Sequence, residues 1–423
     1  MKIGYACIPM TIDAKNSRSF MLKNFSYENF YRASKLNLQD LYTILNYNIS
    51  KDIYMFRISS DIIPFGSHTI NNIKWWNLFK EYFYSCGNFI KENNIRVSMH
   101  PGQYTVLNSP SEDVMKKSIK DIEYHTKFLD SLELDYSNKI VLHLGGVYNN
   151  KLDAMKRFEK NFKYLSSSAK KRLILENDER NYHIQDILSI CNTLQIPAVF
   201  DNLHHRVKIG KDFDDLEEIN QILNFVKDTW TKEDGNIKVH YSNQDPYKKP
   251  GAHSQFIFAN NFLTYFNILK KFNADTMLEV KDKEISAIKC INSLKKDLNN
   301  SFIYNELEKY KYSIIEKNYH IYEECNKLIN SNTENKIIQL YELIDKALIT
   351  DFDKKNYRNA LLNVFECIKN KINEKEKNNF YSLYKIFEQN SNIQCGTKTK
   401  NFLHRLCKKY SVDYILNSYY FIY

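Results

Sequence analysis

Six short β-type stretches in this 423-residue chain end in side chains that bind cations or move protons. Ile95-Arg-Val-Ser-Met-His100 closes on a histidine. Pro101-Gly102, which can neither donate to a ladder nor prolong a strand, then cuts it off. Period-2 alternation puts Ser98 and His100 on one face of that stretch, and an amide and an aromatic, Gln103 and Tyr104, follow the turn. Ile140-Val-Leu-His143 ends the same way. Leu173-Ile-Leu-Glu176 and Met277-Leu-Glu279 end on carboxylates, and Val199-Phe-Asp201 does so with His204 on the turn beyond. Lys238-Val-His240 puts a lysine and a histidine on one face, and His253 lies in the Pro-Gly loop that follows.

Imidazoles and carboxylates far apart in sequence act together only if a fold gathers strand ends. Eight strand-like segments are expected at 2–8, 53–59, 95–100, 139–144, 172–177, 197–201, 237–242 and 276–280. Amphipathic stretches at 29–45, 75–92, 114–132, 154–165, 184–194 and 216–226 lie between them, with apolar residues three and four apart. Strands too apolar to be half-solvated, alternating with helices eight times, predict an α/β fold, a (β/α)8 TIM barrel. The missing Gly-rich fingerprint after the first strand disfavours an open doubly wound sheet. In a barrel these strand ends share one rim. So much like charge there costs several kcal/mol unless cations neutralise it, which points to divalent metal. Ligation by histidine and carboxylate without thiolate suits Mn2+ or Zn2+.

The barrel domain is expected over 1–290. From 302 to 423 the chain turns Lys-, Glu- and Asn-rich with helical periodicity and few strand signals, which predicts an all-helical C-terminal domain. Turn-like punctuation falls at 330–335 and 389–394. A 43% apolar share supports a real core, and a net charge of +10 suits a phosphate-bearing partner without proving one. Eight scattered cysteines form no CxxC pair, and no apolar run nears membrane-spanning length. The expectation is a soluble intracellular protein with reduced thiols, no membrane association and a monomeric state.

In order along the chain, Ser98-Met-His-Pro-Gly-Gln-Tyr104, Leu142-His-Leu-Gly-Gly146, Leu175-Glu-Asn-Asp178, Asp201-Asn-Leu-His-His205, Lys238-Val-His240, Pro250-Gly-Ala-His253 and Leu278-Glu-Val-Lys281 resemble the UV damage endonuclease family. That family is a barrel relative of endonuclease IV, and the likeness spans about residues 1–283. It implies a cluster of metal ions, manganese in the family; the rim ligands are too many for one ion, so two to three are expected, with Zn2+ as the alternative metal. It also implies nicking of double-stranded DNA immediately 5′ of UV photoproducts and some other lesions, abasic sites among them. Matched residue by residue, the implied ligands are His100, His143, Glu176, Asp201, His204, His240, His253 and Glu279. The implied catalytic set is Glu176, Lys238 and Glu279, where Lys238 matches a lysine that is carboxylated in the family. Gln103 and Tyr104 match residues that replace flipped bases, and Tyr5 matches another DNA-facing position; apart from the resemblance, His68 ends the second βα loop and is expected either near the scissile phosphate or as loop filler. Pro9 stands where the family often has a polar residue, which removes any contact such a side chain makes.

An endonuclease IV-like abasic-site nuclease without photoproduct preference shares this barrel and metal logic. A sugar isomerase of the same barrel class lacks evident sugar-binding machinery, and a non-cleaving lesion binder does not need the full ligand set. Arg57 is expected either on a phosphate or paired to a rim carboxylate. The C-terminal stretch faintly resembles an uncharacterised helical family (YbgA-like) and suggests no partner.

Overall fold

The computed structural model describes residues 1–390 and 392–423. Its strands are β1 (Ile3–Ala6), β2 (Met55–Ile58), β3 (Arg96–Met99), β4 (Lys139–His143), β5 (Leu173–Glu176), β6 (Ala198–Asp201), β7 (Lys238–Tyr241) and β8 (Asp275–Leu278). All run parallel, each pairs with the next, and β8 returns to β1, closing the barrel. Every expected strand is present, with ends within two residues of the sequence reading. The helices between them begin on side-chain caps, where Ser26, Ser111, Asn150 and Asp215 accept an otherwise unpaired amide of the first turn. The helix expected over 75–92 is interrupted at Phe79, whose buried ring packs on Phe30 and Tyr31.

Alternation along each strand sorts its side chains between the barrel interior and the helix layer. Tyr5 points outward, edge-on to Phe56, while its neighbour Ala6 joins Met55 and Met277 in the interior. Val141, Ile174 and Val199 fill the opposite side of the same middle layer, with Trp230 against them. Glycine is required in β1, since a Cβ on Gly4 would sit 1.9 Å from the Met55 carbonyl oxygen. The apolar middle layer separates two polar ends.

The N-terminal end is closed by ions. Arg96 Nη1 lies 2.9 Å from Asp275 Oδ2, and its remaining donors reach the carbonyls of Ser137, Asp234 and Asn236. Asp275 Oδ1 accepts the Lys2 amide at 2.7 Å. Lys139 pairs with Asp234, and Arg172 ties Asp130 to the carbonyls of Leu134, Asp135 and Asn138. These bonds satisfy loop backbone that the strands leave unpaired.

A second compact unit comprises 258–263 and 292–423. Seven helices make up its later part: Asn300–Lys317, Tyr319–Ile329, Lys336–Leu348, Lys354–Ile368, Glu374–Asn390, Ile393–Lys409 and Asp413–Leu416. They surround a core built on Leu361, Val364, Phe365, Phe380, Phe387 and Leu403. The turn-like segment 330–335 falls between two helices, whereas 389–394 overlaps the end of Glu374–Asn390 and the start of Ile393–Lys409, and its residue 391 lies outside the described residues. No described helix is long and apolar enough to cross a membrane.

Removing one member of a buried, hydrogen-bonded ion pair strands the other. Arg96→Ala is therefore expected to cost about 3–5 kcal/mol of barrel stability, read from urea unfolding. A loss below about 1 kcal/mol would show that the Arg96–Asp275 pair does not hold the barrel base.

Candidate metal centre

At the opposite end of the barrel, residues from β3 through β8 converge on Glu176. Register sets two neighbour pairs directly, His143 beside Glu176 and Asp201 beside His240. His100 and Glu279 follow the last residues of β3 and β8. Asp201 also caps the helix Asn202–Lys208, its Oδ1 accepting the His204 amide at 2.7 Å, and this places the His204 ring over the mouth. His253 is brought in by an antiparallel bridge between its backbone and Gln244.

Both oxygens of the fully buried Glu176 face imidazoles. Oε1 is 2.8 Å from His240 Nδ1 and 3.7 Å from His204 Nδ1, and Oε2 is 3.2 Å from His100 Nε2 and 3.8 Å from His143 Nε2. Glu279 lies 3.3 Å from His240 and 3.7 Å from His253, and pairs with the Arg57 guanidinium. Asp201 Oδ1 is 3.9 Å from His204 Nδ1. Two triads, His100–His143–Glu176 and Glu176–Asp201–His240, each place one donor atom per residue within 4.8 Å of one another. Glu176 belongs to both.

The electrostatics are those of crowded, dry donors. Burial pushes Glu176 upward, but His240, His143 and His100 outweigh it and hold the carboxylate well below its usual range. Burial likewise pushes Glu279 upward, but Arg57 and His240 outweigh it and hold this carboxylate well below its usual range too. Burial pushes His100 down to about 4. His204 behaves oppositely, since Asp201, Glu176 and Glu279 overcome its burial and raise it to about 10. Lys238, buried inside the barrel with Nζ 2.7 Å from Ser98 Oγ, is driven well below its ordinary value by burial, then by Arg57 and Arg96.

These residues fit divalent cations on their own terms. Asp201 Oδ2, His240 Nε2 and His143 Nδ1 are buried without a hydrogen-bond partner, a costly state that ligation would relieve. The donors are nitrogen and oxygen with no thiolate among them, as Mn2+ or Zn2+ accepts. A cavity of about 250 Å3, lined by Cys7, Arg57, Ile58, Ser60, His100 and Glu279, opens beside them and has room for a phosphate group. Cys7 turns into this cavity in the left-handed region at φ 71°, a conformation rare for a side-chain-bearing residue.

The expected ligands His100, His143, Glu176, Asp201, His204, His240, His253 and Glu279 all lie in this cluster. Gln103 and Tyr104 are exposed at a loop tip, Tyr104 by 83%. That loop is pinned at its base by Thr105 Oγ1 to Asp121 at 2.6 Å and Val106 N to Ser118 Oγ at 2.8 Å. Tyr5 is a correction. It is fully buried on the outer face of β1, its hydroxyl donates to Asn48 Oδ1 at 2.9 Å, and it presents nothing to DNA. His68 is exposed, packs on Phe65 and accepts the Ile70 amide, outside both donor triads.

Glu179 and Asn177 were not among the expected site residues. Glu179 Oε2 lies 3.9 Å from His204 Nε2, and the Asn177 carbonyl fixes the other ring nitrogen at 3.0 Å. Their only signal was position, within three residues after Glu176 on the chain. Of the two expectations for Arg57 the structure takes the rim carboxylate. Gly145 and Gly146 serve the protein itself, with carbonyls accepting from Asn181, Asn108 and Tyr182.

Residues 1–310 match the family model described as UV-endonuclease UvdE, and 311–423 match one described as a protein of unknown function. A UV DNA damage endonuclease of Clostridium perfringens (strain 13 / Type A) is 49% identical over 97% of this chain and 96% of its own length. Another, from Bacillus cereus (strain Q1), is 32% identical over 70% of this chain and 94% of its length. The crystal structure of SacUVDE aligns with a TM-score of 0.65 at 39% identity, covering 70% of this chain and 98% of its own.

Because Glu176 is common to both triads, its loss should affect more than one ion. Elemental analysis of the purified protein is expected to find two to three divalent ions per chain. Glu176→Ala should lose at least one while the far-UV circular dichroism stays unchanged. A full complement in the variant would remove Glu176 from the ligands.

Proposed function

The chain belongs to the UV-endonuclease family, and on that premise we propose that it is a metal-dependent DNA repair endonuclease that nicks the backbone immediately 5′ of UV photoproducts, and acts on abasic sites too. The observation that carries this reading is the convergence of five histidines and three carboxylates on one barrel mouth beside a phosphate-sized cavity. The Bacillus cereus relative spans about the barrel's share of this chain, which supports assigning the chemistry to that unit.

Glu176, Asp201 and Glu279, with His100, His143, His204, His240 and His253, would hold two to three divalent ions, with Mn2+ the first expectation. Bound there, they supply a nucleophilic water near neutral pH and neutralise charge on the phosphate. The chain's own groups prepare the site. Arg57 fixes Glu279 and borders the cavity as a permanent cation, suited to a non-bridging phosphate oxygen. Asn177 fixes the tautomer and orientation of His204. Burial holds the Lys238 amine toward its neutral form, whose lone pair can add to carbon dioxide. That addition releases a proton and leaves an anionic carbamate where an ammonium would stand beside metal cations. Ser98 Oγ, 2.7 Å away, positions it.

Recognition falls to the exposed tip. A damaged dinucleotide stacks and pairs poorly, so extruding it costs less than extruding intact bases. Gln103 and Tyr104 project from a fixed base and can occupy the vacated space, one with hydrogen bonds and one with a ring face. With Tyr5 buried, lesion contacts rest on this loop, and Pro9 offers no polar side chain to add to them.

The deciding experiment compares UV-irradiated, abasic and undamaged supercoiled plasmid with added Mn2+. Nicking of the first two and not the third is expected, with cleavage mapped immediately 5′ of the photoproduct. Nicking of abasic plasmid alone would replace this reading by an abasic-site nuclease without photoproduct preference.

Replacing Gln103 and Tyr104 together by Ala removes stacking worth about 1–3 kcal/mol per base. Nicking of dimer-containing duplex is expected to fall about ten-fold or more, with a smaller loss at abasic sites and unchanged metal content. Wild-type rates on every lesion, or loss of metal, would overturn this role for the loop.

A further inference from the structure

The second unit carries a surface that its fold does not use. Its helix Ile393–Lys409 has five Lys or Arg and no Asp or Glu, whereas each other helix named in this unit has at least one carboxylate. At 3.6 residues per turn, its buried residues Gly396, Thr399, Lys400, Leu403, Leu406 and Cys407 gather on one side. The exposed Gln394, Thr397, Lys398, Asn401, Arg405 and Lys408 fall within an arc of about 120° on the other. Two of the five cations are spent inside the unit, since Lys400 pairs with the buried Glu316 at 2.9 Å and Lys409 with Glu376 at 2.7 Å. Lys398, Arg405 and Lys408 have no ion pair among the described residues.

Three free cations interleaved with amide and hydroxyl groups, over about 15 Å of helix, make a surface for evenly spaced anions. Its chemistry discriminates between partners. A membrane-surface helix needs large apolar side chains on the contact face, and the only large hydrophobic exposed here is Ile393, at the helix start. An ion-pairing protein partner would supply carboxylates singly. A duplex backbone supplies a continuous row of phosphates, which lysine, arginine, asparagine, glutamine and threonine all contact without reading sequence. We propose that the helix Ile393–Lys409 is a sequence-independent DNA-backbone contact, with Lys398, Arg405 and Lys408 as its charge carriers. The choice of DNA rests on the endonuclease reading above. The placement on this helix rests on its exposed arc alone.

The test uses the full-length chain and a short undamaged duplex, with binding constants measured across a salt series. Each phosphate contact contributes about 0.9 to the slope of log K against log salt. The triple variant K398Q/R405Q/K408Q is expected to lower that slope by about 2.7, with unchanged helical content and metal content. A charge-matched triple on other helices of the unit, K327Q/K346Q/K355Q, removes three equally exposed cations and is expected to leave it nearly unaltered. Equal slopes for wild type and the first triple overturn the proposal. So does an equal fall in both triples, which would make the attraction diffuse, or a variant-sensitive affinity for anionic phospholipid vesicles that exceeds that for duplex. These slopes decide the question for the helix whether or not irradiated plasmid is nicked, and plasmid nicking alone decides the endonuclease reading.

Discussion

A buried carboxylate facing four imidazoles organises this protein. Glu176 is fully buried, and both its oxygens are engaged by histidines from other strands or the loops beyond them. A charge so placed persists only with partners arranged around it, and the barrel supplies them because parallel strands end at one rim. Each neighbour is then constrained in turn. His240 bridges Glu176 to Glu279, Glu279 fixes Arg57, and Asp201 caps the helix that carries His204.

The barrel divides its polar groups by height. At one end Arg96, Lys139 and Arg172 meet Asp275, Asp234 and Asp130, so cations and anions match and loop carbonyls are satisfied. At the other end carboxylates and histidines accumulate, with buried polar atoms left unpartnered. The apolar layer of Met55, Val141, Ile174, Val199 and Met277 lies between them. The first end has the composition of a structural plug and the second that of a ligand site, although both are built from the same short strands. Lys238 crosses the division. It is rooted in the interior and lowered first by burial, then by Arg57 and Arg96, while both glutamates of the rim pull it the other way.

The second unit repeats the contrast on a helix. Ile393–Lys409 buries Lys400 against Glu316, with the ring of Tyr420 4.1 Å from its ammonium, and exposes its other cations without ion pairs among the described residues, save Lys409. Charge that stability requires is paired, and charge that it does not require faces water.

The chain by itself marked the eight strands, the parallel closure and the histidines and carboxylates at the strand ends. Strands apolar on both faces can only be buried in parallel, and histidines or carboxylates at their ends can only meet at one rim. Ser98 and His100 share a face as alternation demands, and the 330–335 break separates two helices as its turn residues dictate. Tertiary structure alone decided the rest. The direction of Tyr5 depended on whether its strand position faced the barrel or the helix layer, and in a strand buried on both faces the sequence does not mark which is which. Arg57 could reach phosphate or carboxylate, and the stagger between β2 and β8 chose Glu279. Glu179 and Asn177 became neighbours of His204 only because the loop after β5 folds back toward the helix that Asp201 caps. Such contacts join residues distant along the chain through three-dimensional register, which no local pattern encodes.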